Sequence, residues 1–354
     1  MRVLDASCYG DILVNGSIGA AESFMTGDWD TPDLTALVRV MVRNTDVLDQ
    51  IEGGLARLSR PALKLAHWFN RNSEKGSRRN IAAHYDLGNA LFEQFLDPSM
   101  MYSSAIFADA DTPLDEAAEY KLKVICERLH LSPQDHVIEI GSGWGGFAIY
   151  AAQNYGCRVT TTTISENQYA LAQQRIEAAG LSDRITLLKQ DYRQLEGQFD
   201  KLVSIEMIEA VGWQYYDTFF ATCSRLLKPE GLALIQAITI TDQRYEQARH
   251  NVDFIQRYIF PGSCIPSVQA LLTASGQASD LRLIAQQDYA EHYARTLKAW
   301  WERFQHNRAA ITELGYDDTF ARMWQFYLCY CEGGFRERSI GVSHLVFAKP
   351  LNRE

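Results

Sequence analysis

Apolar positions along this chain fall into two alternating rhythms. Short β-branched runs at 137–140, 158–163, 185–189, 201–205 and 232–239 are separated by stretches with helical spacing. The first such stretch is opened by Thr112-Pro113 and carries Leu114, Leu122, Ile125 and Leu129. Strands alternating with helices make βαβ units, hence a parallel sheet covered on both faces. From about 240 to 335 long aromatic segments that read as helices break the rhythm, and 344–349 restores a last strand. A smaller mixed segment comes first. Thr31-Pro32-Asp33 has the chemistry of a helix start, with proline at the first helical position, and Leu34, Leu37, Val38, Met41 and Val42 follow at helical spacing. The pattern predicts an α/β fold with a doubly wound, mostly parallel sheet. An N-terminal module with a basic linker helix occupies 1–80, and a main domain with a helical insertion at about 240–335 occupies 81–354.

Composition narrows the classes. The 354 residues suit about two domains, and no apolar run reaches the ~20 residues of a membrane-spanning helix. Lys and Arg number 34 against 44 Asp and Glu, a net charge of -10, which disfavours nucleic acid as a partner. Seven cysteines without a C-x-x-C pair argue for reduced thiols in a cytoplasm, and no metal site is expected. The start also lacks the layout of a signal peptide. Charge reverses locally at 57–79, where Arg57, Arg60, Lys64, Arg71, Lys75, Arg78 and Arg79 face only Glu74. With Leu65, Trp68 and Phe69 on one face, a helix there suits either an anionic lipid surface or a linker packed on the core.

The main chemical signal is Glu139-Ile140-Gly141-Ser142-Gly143-Trp144-Gly145-Gly146, directly after a strand and opening a helix. Such a turn lets backbone approach a dinucleotide or S-adenosylmethionine. A dinucleotide enzyme wants an acid ending the second strand, but Thr160-Thr161-Thr162-Thr163 stands there. Asp191 follows the third strand, where adenine would lie in a methyltransferase, and Leu227-Lys228-Pro229-Glu230-Gly231 precedes the fifth. These features favour a class I methyltransferase. Ser165 and Gln168 also fit a helix-capping box, so Gln168 reads equally as cap or ribose ligand. Glu139 reads as a ligand or a brace for the turn, and Glu209 sits at the carboxyl end of the fourth strand, on the ligand edge of such sheets.

Nearly the whole chain resembles the cyclopropane-fatty-acyl-phospholipid synthases, class I methyltransferases acting on double bonds in membrane lipids. The matching segments include Gly16-Ser17-Ile18-Gly19, Gly27-Asp28-Trp29, His84-Tyr85-Asp86-Leu87-Gly88-Asn89, Thr163-Ile164-Ser165-Glu166-Asn167-Gln168, Tyr258-Ile259-Phe260-Pro261-Gly262, Trp300-Trp301-Glu302-Arg303-Phe304 and Gly334-Phe335-Arg336-Glu337-Arg338. The resemblance implies that Tyr102, Ser103, Glu139, Gly141, Gly143, Trp144, Gly145, Thr163, Gln168, Asp191 and Tyr192 contact S-adenosylmethionine. It implies unsaturated phospholipid acyl chains as substrate, at the inner face of the cytoplasmic membrane, with a homodimer as one assembly. Aromatic faces would stabilise a carbocation, Tyr85, Tyr258, Phe260, Tyr293, Trp300 and Trp301 being candidates. In the family a bicarbonate then takes the proton. The Glu, Tyr and Ile that hold it match Glu209, Tyr293 and Ile238, whereas the Cys and His positions are Ser104 and Gln236 here. An amide donates to an anion but relays no proton near neutral pH. Bicarbonate binding is therefore open, and so is the product: a cyclopropane ring, or a methyl or methylene branch. A methyltransferase of a small soluble molecule and a non-catalytic binding protein are the readings from other classes.

Overall fold

The computed structural model describes residues 1–44 and 87–353. The N-terminal part comprises β1 (Arg2–Val3), α1 (Ser7–Thr26), β2 (Trp29–Asp30) and α2 (Leu34–Arg43). Then come α3 (Asn89–Phe92), α4 (Leu114–Arg128), β3 (His136–Ile140), α5 (Gly146–Tyr155), β4 (Arg158–Thr163), α6 (Glu166–Ala178), β5 (Ile185–Lys189) and β6 (Phe199–Ile205). They are followed by α7 (Tyr216–Leu226), β7 (Leu227–Ile240), α8 (Asp242–Ala248), α9 (Val268–Ala278), β8 (Arg282–Asp288), α10 (Ala290–His306), α11 (Arg308–Glu313), α12 (Asp318–Arg336) and β9 (Ile340–Ala348).

The large sheet has the order β5-β4-β3-β6-β7-β9-β8. Its first five strands run parallel, and β9 lies antiparallel between β7 and β8. The chain starts in the middle, winds out to β5, and returns to the other side of β3. This reversal opens a crevice beyond the carboxyl ends of β3 and β6, where such sheets take ligands. One sheet face is sealed by Leu122, Ile125 and Phe147 of α4 and α5, the other by Phe219, Phe220 and Leu271 of α7 and α9. All six are buried, and each contributes about 1.5–3 kcal/mol by leaving water.

Two expectations need correction. Asp33, not Thr31, caps α2: its carboxylate accepts the Ala36 N–H, so Pro32 precedes the cap instead of opening the helix. The segment 240–335 is also not wholly helical. It contributes edge strand β8, whose residues are nearly all exposed, so it carries no inward apolar face for a sequence pattern to reveal.

The N-terminal elements share one core with the late helices, including Phe24, Trp29, Trp300 and Trp324. The Trp29 indole N–H donates to Ala20 O and Ser23 Oγ, folding β2 back onto α1. Helix α2 lies so close on α12 that a Cβ at Gly333 would stand 2.6 Å from Val38 Cγ1. Arg39 and Arg43 both pair with Glu337 at the end of α12. Among the described residues no helix is long and apolar enough to cross a membrane. Both the basic stretch 57–79 and Tyr85 lie outside the described residues.

Candidate active site

A cavity of about 550 Å³ occupies the crevice. At one end is the turn after β3. Gly143 has φ +48 and nothing within 4 Å of where its Cβ would stand, so the backbone there is bare toward a ligand. Glu139 is buried beneath the turn and accepts from the Thr161 hydroxyl at 2.5 Å; burial pushes its carboxyl up to about 8. The Trp144 indole N–H donates to Asn89 Oδ1. Ser165 caps α6 by accepting the Gln168 N–H. The Gln168 side chain does not complete the capping box, because its Oε1 accepts from the Thr163 hydroxyl instead. Asp191 is buried and held by Arg193 through both oxygens. The Tyr192 hydroxyl is buried with no partner. Tyr102 and Tyr327 share a hydroxyl–hydroxyl hydrogen bond, and Ser103 Oγ accepts from Lys121.

Past the turn lies a cluster built around one carboxylate. Glu206 follows β6 with φ +48, a backbone cost of about 1–3 kcal/mol for a side chain other than glycine. Its Oε1 accepts the Ser104 backbone N–H at 2.9 Å and the Gln236 amide at 2.7 Å, and its Oε2 accepts the Tyr293 hydroxyl at 2.7 Å. The neighbouring strand fixes that amide: His344 lies opposite Gln236 in β9, and its Nε2 donates to Gln236 Oε1 at 2.8 Å. Burial raises the Glu206 carboxyl while these donors pull it back down. Glu209 is also buried but receives only the Ile238 backbone N–H on Oε1, and its Oε2 has no partner. Burial and the charge of Glu206 push its carboxyl up to about 8. Of the two acids, Glu206 is therefore the one whose charged form is held by several donors, and Glu209 the one whose carboxyl is pushed further up. Lys121, fully buried, is brought down to about 8 by burial against the pull of Glu206, Asp97 and Glu139.

The residues that the sequence singled out for the cofactor line this crevice, except Gly145, which packs toward Ala172 and Ile149. Tyr293, Gln236 and Ser104 converge on Glu206, and Ile238 alone reaches Glu209. Of the aromatic candidates, Phe260 and Tyr293 line the cavity. Trp300 packs behind them on Tyr102, and Tyr258 is turned away to Glu22. Sequence reasoning missed Glu206, Lys121 and His344. Lys121 had a signal, since it interrupts the buried helical face of Ala117, Ala118, Leu122 and Ile125. Beyond the acids the cavity wall turns apolar, with Leu34, Leu37, Val38 and Met41 of α2 facing Phe260 and Phe326.

A family model described as mycolic acid cyclopropane synthetase matches residues 72–345. A tuberculostearic acid methyltransferase of Mycobacterium tuberculosis is 40% identical over 93% of this chain and 78% of its own length. The cyclopropane-fatty-acyl-phospholipid synthase of Escherichia coli K12 is 40% identical over 99% of this chain and 87% of its own. The structure of mycolic acid cyclopropane synthase CmaA1 complexed with SAH and CTAB superposes with a TM-score of 0.71 at 29% identity, covering 77% of this chain and 98% of that one.

Proposed function

This chain belongs to the mycolic acid cyclopropane synthetase family and is an S-adenosylmethionine-dependent methyltransferase; from that premise we propose that it delivers a one-carbon unit to the cis double bond of unsaturated fatty acyl chains in membrane phospholipids. One observation carries the reading. A single cavity runs from the glycine turn, past Glu206, Glu209 and Tyr293, to an apolar wall made by α2. A small polar substrate has no use for that wall.

The residues present fit the cofactor, for the bare turn at Gly143 and the unpartnered Tyr192 hydroxyl offer a cradle and a free polar group to a nucleoside. When bound, S-adenosylmethionine supplies an electrophilic methyl group to an alkene that is a weak nucleophile. Glu139, Gln168 and Asp191 would hold the nucleoside end. Tyr293, Phe260 and Tyr327 face the cavity with π surfaces that stabilise positive charge without trapping it. The apolar wall excludes water that would quench a cation.

The substrate's home is the bilayer, so the protein works at the membrane surface, on the inner face of the cytoplasmic membrane. The exposed Tyr9, Leu13 and Val14 of α1 and the positive charge of 57–79 support contact there. Non-cyclising methylation is the second reading, favoured by Gln236 and by the equal identity to a relative named a methyltransferase. Incubating the protein with S-adenosylmethionine and vesicles of mono-unsaturated phospholipid tests the function: acyl chains heavier by one methylene support it. Unaltered lipid alongside methylation of a soluble acceptor rejects it.

A further inference from the structure

The site does not fit the bound bicarbonate that the family resemblance implies. The donors expected to hold that anion are the backbone near Ser104 and at Ile238, the Tyr293 hydroxyl and the group at position 236. Three of these already donate to Glu206, and the Ile238 N–H donates to Glu209. A second anion would find these donors taken and a buried negative charge in their midst. Nothing about β6 requires an acid here. Glu206 is partly buried, held in a left-handed conformation, and anchored by its own N–H to Gln236 O at 2.8 Å. A left-handed backbone at a residue other than glycine is a cost that a purely structural position would not retain.

We propose that the Glu206 carboxylate takes the place of the external anion and is itself the catalytic base. This rests on the lipid-methylation reading above. The alkene π pair forms the new C–C bond as the sulfonium S–C bond breaks onto sulfur, which leaves positive charge on the other alkene carbon. Glu206 then removes a proton. The C–H pair either closes the ring, when the proton comes from the transferred carbon, or forms a new double bond, when it comes from the chain. Glu206 ends as the neutral acid and returns its proton to water, so electrons balance with no oxidant or reductant. Gln236 suits this arrangement better than histidine. With its oxygen held by His344, its amide presents only N–H to the base and never competes for the proton.

The test compares the full-length protein in carbon-dioxide-free buffer with the same buffer plus bicarbonate, using vesicles of mono-unsaturated phospholipid. The expected result is a rate that is the same within about twofold, with no heat of bicarbonate binding to the wild type. Glu206→Gln, which keeps shape and loses the charge, should turn over roughly a hundredfold or more slower while still binding S-adenosylmethionine. Glu206→Gly, which vacates the donors, should bind bicarbonate by calorimetry. A wild type that stops without bicarbonate and recovers with it overturns the proposal, as does a Glu206→Gln variant of undiminished rate. A wild type that alters no lipid in either buffer defeats the functional reading itself, and the assignment of Glu206 falls with it.

Discussion

Glu206 and Glu209 stand three residues apart in one turn, and hydrogen bonding treats them differently. Three donors hold Glu206 and one holds Glu209, and burial together with the neighbouring Glu206 pushes the Glu209 carboxyl up to about 8. This has a measurable consequence. Above the ordinary value of 4.5 the unfolded chain releases the Glu209 proton, whereas the folded chain keeps it to about 8. Stability therefore falls through that window by about 1.4 kcal/mol per pH unit. Glu209→Gln cannot ionise, so its thermal midpoint should decline less steeply than the wild type's from about pH 5 to 8. Parallel slopes would remove the neutral acid from the account. The two acids should also differ in catalysis, with Glu206→Gln the more damaging substitution; the reverse order of rates would show that the base has been misplaced. Glu209 stood out in the sequence by its place at the end of the fourth strand, whereas Tyr293, Gln236, Ile238 and Ser104 were reached only through the family resemblance. Glu206 was not legible, since its meaning comes from Ser104 and Tyr293, which lie 102 and 87 residues away along the chain. Gln236 looked like a defect only while its partner was out of view.

The supporting elements show a similar division. The parallel strands were legible because their β-branched runs are short and bounded, and β3, β4 and β6 are buried on both faces. Edge strand β8 was not, because exposure leaves it without a pattern. The N-terminal motifs read as a small mixed module, and its described elements share a core with the late helices. Helix α2 is clamped to α12 by Arg39 and Arg43 on Glu337, whose carboxyl is held down at about 2 by those guanidiniums. Since α2 forms the apolar wall, damage to it should be felt by the lipid and not by the cofactor. Leu37→Asp places a charge on that wall. It should raise KM for unsaturated phospholipid by about tenfold or more, the cost of ~1–3 kcal/mol for an unpaired polar group, with S-adenosylmethionine affinity unchanged by calorimetry. Equal loss of both affinities would mean that α2 supports the whole crevice instead.

For the molecule as a whole, the proposed function requires an acidic protein with one basic stretch to meet a substrate that stays in a bilayer. Charge on 57–79 offers attraction to anionic headgroups that salt should weaken. Reversing Arg57, Arg60, Lys64 and Arg71 should reduce cosedimentation with anionic vesicles at low salt and have little further effect at high salt; unchanged cosedimentation assigns membrane contact elsewhere. The central claim is that the sulfonium methyl carbon ends in an acyl chain, and one measurement addresses it directly. Purified protein, S-adenosylmethionine carrying a trideuterated methyl group and mono-unsaturated phospholipid vesicles are combined, and the acyl chains are analysed by mass spectrometry. The account predicts labelled chains that keep two deuterium atoms if Glu206 takes its proton from the transferred carbon and three if it takes it from the chain. Acyl chains free of deuterium, from a protein shown to bind the cofactor, would contradict it.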